Sequence, residues 1–464
     1  MGNEIIVGLD IGTTKIACFV GVRGENERVK ILGFGKTESL GVEHGAVKGI
    51  TQAAESIKRA VDEAAEQANV EVDEVWVGIA GQHIKSRPSQ GSIMIPSEHE
   101  LIEQEDVERL TSDQYNTMLE PGEEIIHVFP QQYYVDNVPL SREIPPVGVA
   151  GKVLKADFHM VTGNVQNLQA IKMAVQRAGL KIKGVVLEPV ASAKAVLDDS
   201  DRDAGVAMVD IGGGTTDIAI FHEGIIRHTS VLPLAGNAIT NDIREGCNIL
   251  RKQAESLKVK FGSCLVQAVS ENDVISIPGI RSQAPREIYV KTLAGIINAR
   301  TKMIMEQVDY EIKLSGFGKK LIAGVVLTGG GAQLKDIKSL CELVTATDTR
   351  IGIPNEHLEV DSVNYNELMH PMYATGIGLV LYGLEQTEEP AEEKNHENKK
   401  EGKKGLDIFA DMDNLPPTPP TPAAADTKPA VTEKPKKKKK REEDSFGDAV
   451  KDFFKKVFDE GIDE

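Results

Sequence analysis

Two short stretches place an aspartate at the end of an apolar run, then glycine, then paired threonines. The first is Asp10-Ile11-Gly12-Thr13-Thr14-Lys15, and the second is Asp210-Ile211-Gly212-Gly213-Gly214-Thr215-Thr216-Asp217. Glycine lets the backbone turn tightly and bring N–H groups against an anion. The threonine hydroxyls add donors. A carboxylate beside a phosphate is repelled unless a cation lies between them, so Asp10 and Asp210 suit a hydrated Mg2+. An ordinary hairpin turn would explain either stretch alone. Two copies, each with the preceding aspartate, make that explanation poor. A third cluster, Gly329-Gly330-Gly331, follows the apolar run 324–327, with a helix expected from Gln333. Three glycines let a flat ring such as adenine lie on the backbone near a helix N-terminus. No cluster has the GxxxxGK[ST] spacing of a P-loop or the spaced GxGxxG of a Rossmann site.

These side chains need a frame. Patterning predicts strands at 5–10, 17–22, 29–36, 75–79, 184–187, 206–210, 218–221 and 323–327. It predicts helices at 51–68, 162–178, 236–245, 250–260, 286–308 and 371–385. The strand, glycine turn, strand unit occurs at 5–22 and again at 206–221, an internal duplication. Helices alternate with strands in both halves, which implies two α/β lobes. The chain of 464 residues, 41% hydrophobic, is long enough for several subdomains. Its net charge of −18 argues against bulk nucleic-acid binding. Cys18, Cys247, Cys264 and Cys341 form no CxxC pair, so neither a disulfide framework nor a zinc knuckle is expected, and a reducing cytosol is the natural setting. No apolar run reaches transmembrane length, and the first residues read as a strand and not as a signal peptide. Gly2 lacks the Ser or Thr at position 6 that acylation favours. A peripheral membrane protein stays open.

Composition changes near residue 386. Eight of the 21 prolines lie beyond it, with a basic run at 436–441. Such a segment cannot bury enough apolar surface to fold, so 386–444 is expected to be a disordered linker. Residues 445–464 differ again. Phe446, Val450, Phe453, Phe454, Val457 and Phe458 share one face of a helix, opposite Asp448, Asp452, Lys455 and Asp459. About fifteen helical residues, roughly 22 Å, suit an amphipathic helix lying in a bilayer interface and are too short to span it.

The three glycine clusters, in this order and spacing, resemble the phosphate-1, phosphate-2 and adenosine signatures of the actin/Hsp70/sugar-kinase ATPase superfamily, over residues 1–385. The stretches VVLEPVASA at 185–193 and YATGIG at 373–378 resemble its two interdomain connectors. The resemblance implies ATP and Mg2+ as cofactors. Asp10, Gly12, Thr13, Thr14 and Lys15 would hold phosphates from one lobe. Asp210, Gly212, Gly213, Gly214 and Thr215 would hold them from the other, and Gly329, Gly330 and Gly331 would support the adenosine.

Within that superfamily IIVGLDIGTTKI, GVEHGAVKGI, VWVGIAGQHI, MVDIGGGTTDIAIF and GVVLTGGGAQL resemble the FtsA family of bacterial cell-division proteins. This implies a two-lobed actin-like fold with a 1C-type insert at 82–160. Lobe 1 (1A) would comprise 1–81 and 161–196, and lobe 2 (2A) would comprise 205–235 and 306–370. A 2B-like subdomain at 236–305 and a hinge helix at 371–385 would complete it. Glu255 and Lys258 would contact ribose and adenine, although a surface ion pair one turn apart has the same spacing. Glu188 stands where relatives position the attacking water, but helix capping before Pro189 would serve it equally. Hydrolysis is expected to be slow or absent. By the same resemblance the protein would polymerise and tether FtsZ filaments, the Z ring, to the cytoplasmic face of the cell membrane at the division site. The FtsZ C-terminal peptide would dock on 236–305, with Arg300 as a contact, and other division proteins on the insert. A sugar-kinase reading gives the last 80 residues no role. A rod-shape-type actin homologue would lack the linker and terminal helix.

The terminal helix is testable by itself. Residues 434–464 hold ten Lys/Arg and nine Asp/Glu, so apolar insertion must outweigh charge attraction. Phe453→Glu with Phe454→Glu should abolish sedimentation with liposomes and leave nucleotide binding intact. Raised salt should weaken wild-type sedimentation only modestly. Complete stripping of the wild type by moderate salt would rule out apolar insertion as the anchor.

Overall fold

An apolar run with no polar face must be covered on both sides, and the chain's strands pair so that this happens twice. The computed structural model describes residues 4–24, 28–96, 100–278 and 284–387. The chain divides into two units, Met1–Asn414 and Leu415–Glu464, and every described residue lies in the first. The expected linker beyond 387 and the terminal helix, with Phe446, Val450, Phe453, Phe454, Val457 and Phe458, lie outside the described residues. Among the described residues no helix is long and apolar enough to cross a membrane.

Lobe 1 opens with β1 (Ile6–Ile11), β2 (Lys15–Arg23) and β3 (Val29–Glu38). A small ribbon, β4 (Val42–Glu43) and β5 (Ala46–Val47), leads to α1 (Ile50–Ala68) and β6 (Glu74–Ile79). Helix α1 buries Ala53, Ala54, Ile57, Ala60, Val61 and Ala64 on one stripe. It lies so close on β3 that a Cβ at Gly33 or Gly35 would meet the carbonyl oxygen of Ala64 or Ala60 at 2.1 or 2.0 Å.

The insert follows as β7 (Lys85–Met94), α2 (Gln104–Gln114), β8 (Glu123–Val135), β9 (Val138–Pro139) and β10 (Val153–Asn164). It forms its own sheet, β7-β10-β8-β9, over its own core around Ile102, Leu110, Leu154 and Phe158. The chain returns to lobe 1 through α3 (Val165–Arg177) and β11 (Lys181–Leu187). Asn164 caps α3 by accepting from the amides of Gln166 and Asn167. Two short helices, α4 (Glu188–Val196) and α5 (Asp199–Ala204), cross to lobe 2.

Lobe 2 repeats the plan with β12 (Val206–Ile211), β13 (Thr216–His222) and β14 (Ile225–Leu232). Then come α6 (Gly236–Cys247), α7 (Arg251–Phe261), β15 (Val274–Ile277), β16 (Arg286–Tyr289) and α8 (Val290–Leu314). It closes with β17 (Gly324–Thr328), α9 (Ile337–Thr345), β18 (Thr349–Ile351), α10 (Tyr365–Leu368) and α11 (Ala374–Gln386). The two main sheets run β11-β6-β1-β2-β3 and β14-β13-β12-β17-β18. Strand for strand they are the same sheet.

Some boundaries differ from the sequence expectation. Residues 286–289 form a strand paired with β15, because Ile288 is buried while its neighbours are exposed. The helix expected from 286 therefore starts at Val290 and runs unbroken to Leu314, through the boundary expected at 305. The helix expected from Gln333 starts at Ile337, after a tight turn at 330–333 and a left-handed Asp336 with φ 65°. The insert's last strand extends to Asn164, past 160.

Helices α4 and α11 cross between the lobes. A Cβ on Gly378 would lie 1.8 Å from the carbonyl oxygen of Ala191, while one on Gly376 would strike the Phe19 ring at 1.9 Å. The crossing itself thus rests on Gly378, and Gly376 seats the helix on lobe 1. Gly378→Ala should destabilise the protein by about 1–3 kcal/mol through overpacking against backbone. Urea unfolding followed by Trp76, the only tryptophan, whose ring packs on Tyr382, should show the loss. A wild-type midpoint would mean that the helices have room to part.

Candidate functional site

The duplicated hairpins β1–β2 and β12–β13 point their turns at each other. Lobe 1 presents hydroxyls and lobe 2 presents bare backbone. A Cβ on Gly213 would lie 1.7 Å from Thr14 Oγ1, and one on Gly214 would lie 2.4 Å from Thr13 Oγ1. Only glycine permits this approach. The β4–β5 turn closes the gap from the side. The Gly45 amide donates to Thr13 Oγ1 at 3.0 Å, and His44 Nδ1 lies 3.2 Å from the carbonyl oxygen of Gly214. That contact requires the proton on Nδ1.

Beneath the turns lies a cavity of about 740 Å³, a size suited to a small organic ligand. Asp10, Gly12, Thr13, Thr14 and Lys15 line it from lobe 1. Asp210, Gly212, Gly213, Gly214 and Thr215 line it from lobe 2. Gly329, Gly330 and Gly331 form part of the wall, as do Glu188, Glu255 and Lys258. Gly329 has φ 82°, and a Cβ there would fall 2.2 Å from Asp210 Oδ1. A Cβ on Gly330 would meet nothing nearer than 4.0 Å, so any side chain there would fill space that a ligand could use.

The electrostatics of the cavity are unbalanced. Lys15 Nζ bonds Asp10 Oδ2 at 2.7 Å. Asp210 Oδ2 accepts from Ser192 Oγ at 2.8 Å and from Thr375 Oγ1 at 3.2 Å. The antiparallel register sets Asp217 directly opposite Asp210, and like charges in that position repel. Burial, then the Asp210 charge, pushes Asp217 up to about 8, although the Thr215 hydroxyl donates to its Oδ2 at 3.0 Å. Its Oδ1 is buried without a partner. Burial, then Asp10, Asp217 and Asp210, raises Glu188 well above the usual carboxylate range. Asp210 is raised too, mainly by burial. Four acids thus share a low-dielectric pocket in which Lys15 offsets only part of their charge. A bound divalent cation fits that deficit. Among the described residues no three His, Cys, Asp or Glu side chains converge as a ready-made ligand set, so the acids would act through a cation's water shell.

Glu188 is the first residue of α4, whose start has no side-chain capping bond. Glu188 is nonetheless the acid of that helix's first turn, where negative charge is favoured, so the helix-end explanation stands beside the catalytic one. Lys258 Nζ bonds the Gly236 carbonyl at 3.1 Å, Thr240 Oγ1 at 2.9 Å and Glu255 Oε2 at 2.8 Å. This pair is a polar corner of the cavity wall. Arg300 lies elsewhere, clamping α8 to α6 through bonds of 2.6 and 3.0 Å to Asp242. Sequence reading assigned no role to Asp217, Ser192, Thr375, Lys36, Tyr373 or Asn237, all of which line the cavity or bond Asp210. Asp217 gave one signal, an acid opening an otherwise apolar strand.

Residues 207–378 match the family model for cell division protein FtsA, and 81–162 match that for the SHS2 domain inserted in FtsA. Residues 164–230 match the Hsp70 protein model. The FtsA of Pseudomonas aeruginosa is 36% identical over 384 residues, covering 83% of this chain and 90% of that protein. The chain belongs to the FtsA family. The FtsA of Escherichia coli K12 is 34% identical over 390 residues, 82% of this chain and 91% of that one. Among solved structures a chain of the PilM–PilN type IV pilus biogenesis complex superposes with a TM-score of 0.59 at 16% identity, over 82% of this chain and 98% of that one. That likeness is one of fold. The protein is an actin-like cell-division protein of FtsA type with the actin/Hsp70 two-lobed architecture.

The buried acids predict a proton-linked stability. Asp217 keeps its proton when folded and loses it near pH 4 when unfolded. Ligand-free stability should therefore fall as pH rises from about 4 to 8. Asp217→Asn removes that cost. Its thermal midpoint should exceed the wild type's by a few degrees at pH 8 and by much less at pH 5. A gap independent of pH would mean that Asp217 ionises normally.

Proposed function

We propose that the cavity binds ATP with Mg2+ and that binding holds the two lobes closed. The observation that carries this reading is the convergence of three glycine turns from both lobes on one acid-rich cavity. Thr13, Thr14, Lys15 and the amides of 212–215 would cradle phosphates, and Asp10 and Asp210 would hold the metal through water. Gly329, Gly330 and Gly331, with Glu255 and Lys258, would receive the nucleoside. The metal would neutralise phosphate charge. Contacts from both lobes give the ligand a preference for the closed state, without which it could not shift the balance. Hydrolysis would be slow or absent.

In the cell the protein would polymerise and tether FtsZ filaments to the cytoplasmic face of the membrane at the division site. Membership of the FtsA family supports this over a sugar kinase or a rod-shape filament. The apolar face of 445–464 would supply the membrane contact, and many weak helices on one filament would hold by avidity. The FtsZ peptide would dock on the region of α6 to α8. An acidic peptide group reaching Arg300 would have to displace Asp242.

Asp210→Ala should weaken Mg-ATP binding by about 10–100-fold, as loss of a metal-organising group typically does. Titration of labelled ATP against both proteins, with and without Mg2+, measures it. Equal affinities would sink the metal assignment.

A further inference from the structure

The insert grows from lobe 1, yet its flank rests on lobe 2. Three of its strands contribute. Ser86 Oγ on β7 donates to the Thr229 carbonyl at 2.8 Å. Gln131 Nε2 on β8 donates to the Ile226 carbonyl at 2.8 Å, and Arg227 Nη1 returns a bond to the Gln131 carbonyl at 3.1 Å. His159 Nε2 on β10 pairs with Thr229 Oγ1 at 2.9 Å in a buried position. The lobe 2 partners in these bonds stand on β14, and the Arg142 guanidinium of the insert pairs in addition with Asp203 of α5. That strand is hydrogen-bonded along its length to β13, which springs directly from the 212–215 turn.

The root of the insert leads to the same turn by another route. A Cβ on Gly45 would lie 2.8 Å from Gly81 Cα, and one on Gly81 would lie 3.1 Å from the His44 carbonyl oxygen. The β4–β5 turn and the insert's root therefore touch backbone to backbone. That turn is the one bonded to Thr13 in lobe 1 and to Gly214 in lobe 2. It lies within the GVEHGAVKGI stretch, to which the nucleotide reading gives no task.

The β14 docking and the root contact thus both lead to the lobe 2 phosphate turn. A rotation that opens the lobes cannot leave both in place. We infer that docking of the insert on β14 and occupancy of the nucleotide cleft are one coupled equilibrium, so that the insert reports the nucleotide state to whatever binds it. The inference rests on the ATP reading. Coupling of this kind is reciprocal: a partner that lifts the insert off β14 must also weaken nucleotide binding.

The test uses the full-length protein and Mg-ATP. In the wild type Mg-ATP should slow backbone hydrogen exchange at 225–232 and at 81–86. The nearly isosteric Gln131→Glu places a carboxylate against the Ile226 carbonyl, and Ser86→Ala removes a second bond. Together they should raise the Kd for Mg-ATP about fivefold or more with exchange in the insert core, 154–160, unchanged. Unchanged affinity together with ATP-indifferent exchange at 225–232 would overturn the inference. If the variant's insert core loosens, the wild-type exchange comparison alone decides. Absence of any nucleotide binding by the wild type would instead overturn the ATP reading, and this inference with it.

Discussion

Everything in the cleft is referred to one carboxylate oxygen. Asp210 Oδ2 accepts a hydroxyl from each of the two crossing helices, Ser192 of α4 and Thr375 of α11, and those two oxygens are themselves 2.9 Å apart. The three groups are buried, so an unmade bond here would cost the full desolvation of its partner. The crossing of α4 on α11 therefore aims Asp210, and Asp210 in turn pins the crossing. Gly329 packs against the other oxygen of the same carboxylate. The helix crossing and the proposed phosphate end are thus a single piece of structure.

The sequence revealed what is local. An aspartate, a glycine turn and paired threonines can be read in a window of eight residues, and so the duplication, the two lobes and the glycine-turn part of the cavity wall were legible. The partners of Asp210 were not. A serine and a threonine in helices are unremarkable until tertiary packing brings residues 183 positions apart into contact. Asp217 was in view, but its meaning depends on register, which sets it across from Asp210 and not one place along. Residues 286–289 were misread because four residues cannot separate a strand from the first turn of a helix. The docking of the insert on β14 had no local signal.

Duplication did not leave equal halves. The residue opposite Asp10 is Ala17, whereas the residue opposite Asp210 is Asp217. Lobe 1 brings hydroxyls and an ammonium to the cleft. Lobe 2 brings backbone and an extra acid. Each turn can therefore serve only as the complement of the other, and two copies of either half would clash or leave a gap.

The insert is joined to lobe 1 by strands that lie side by side. β7 and β10 pair continuously from Lys85 and Thr162 at the root to Met94 and Val153 at the far end. Ten paired residues at about 3.3 Å each make a ribbon of roughly 33 Å. Backbone bonds stiffen such a ribbon along its length, so once released from β14 it would swing as a rod about its base. A turn of about 5° at the root would carry the tip of such a strand pair through roughly 3 Å. A displacement too small to disturb a hydrogen bond at Gly81 is, at the outer end of the insert, as large as the difference between a fitted and an unfitted surface.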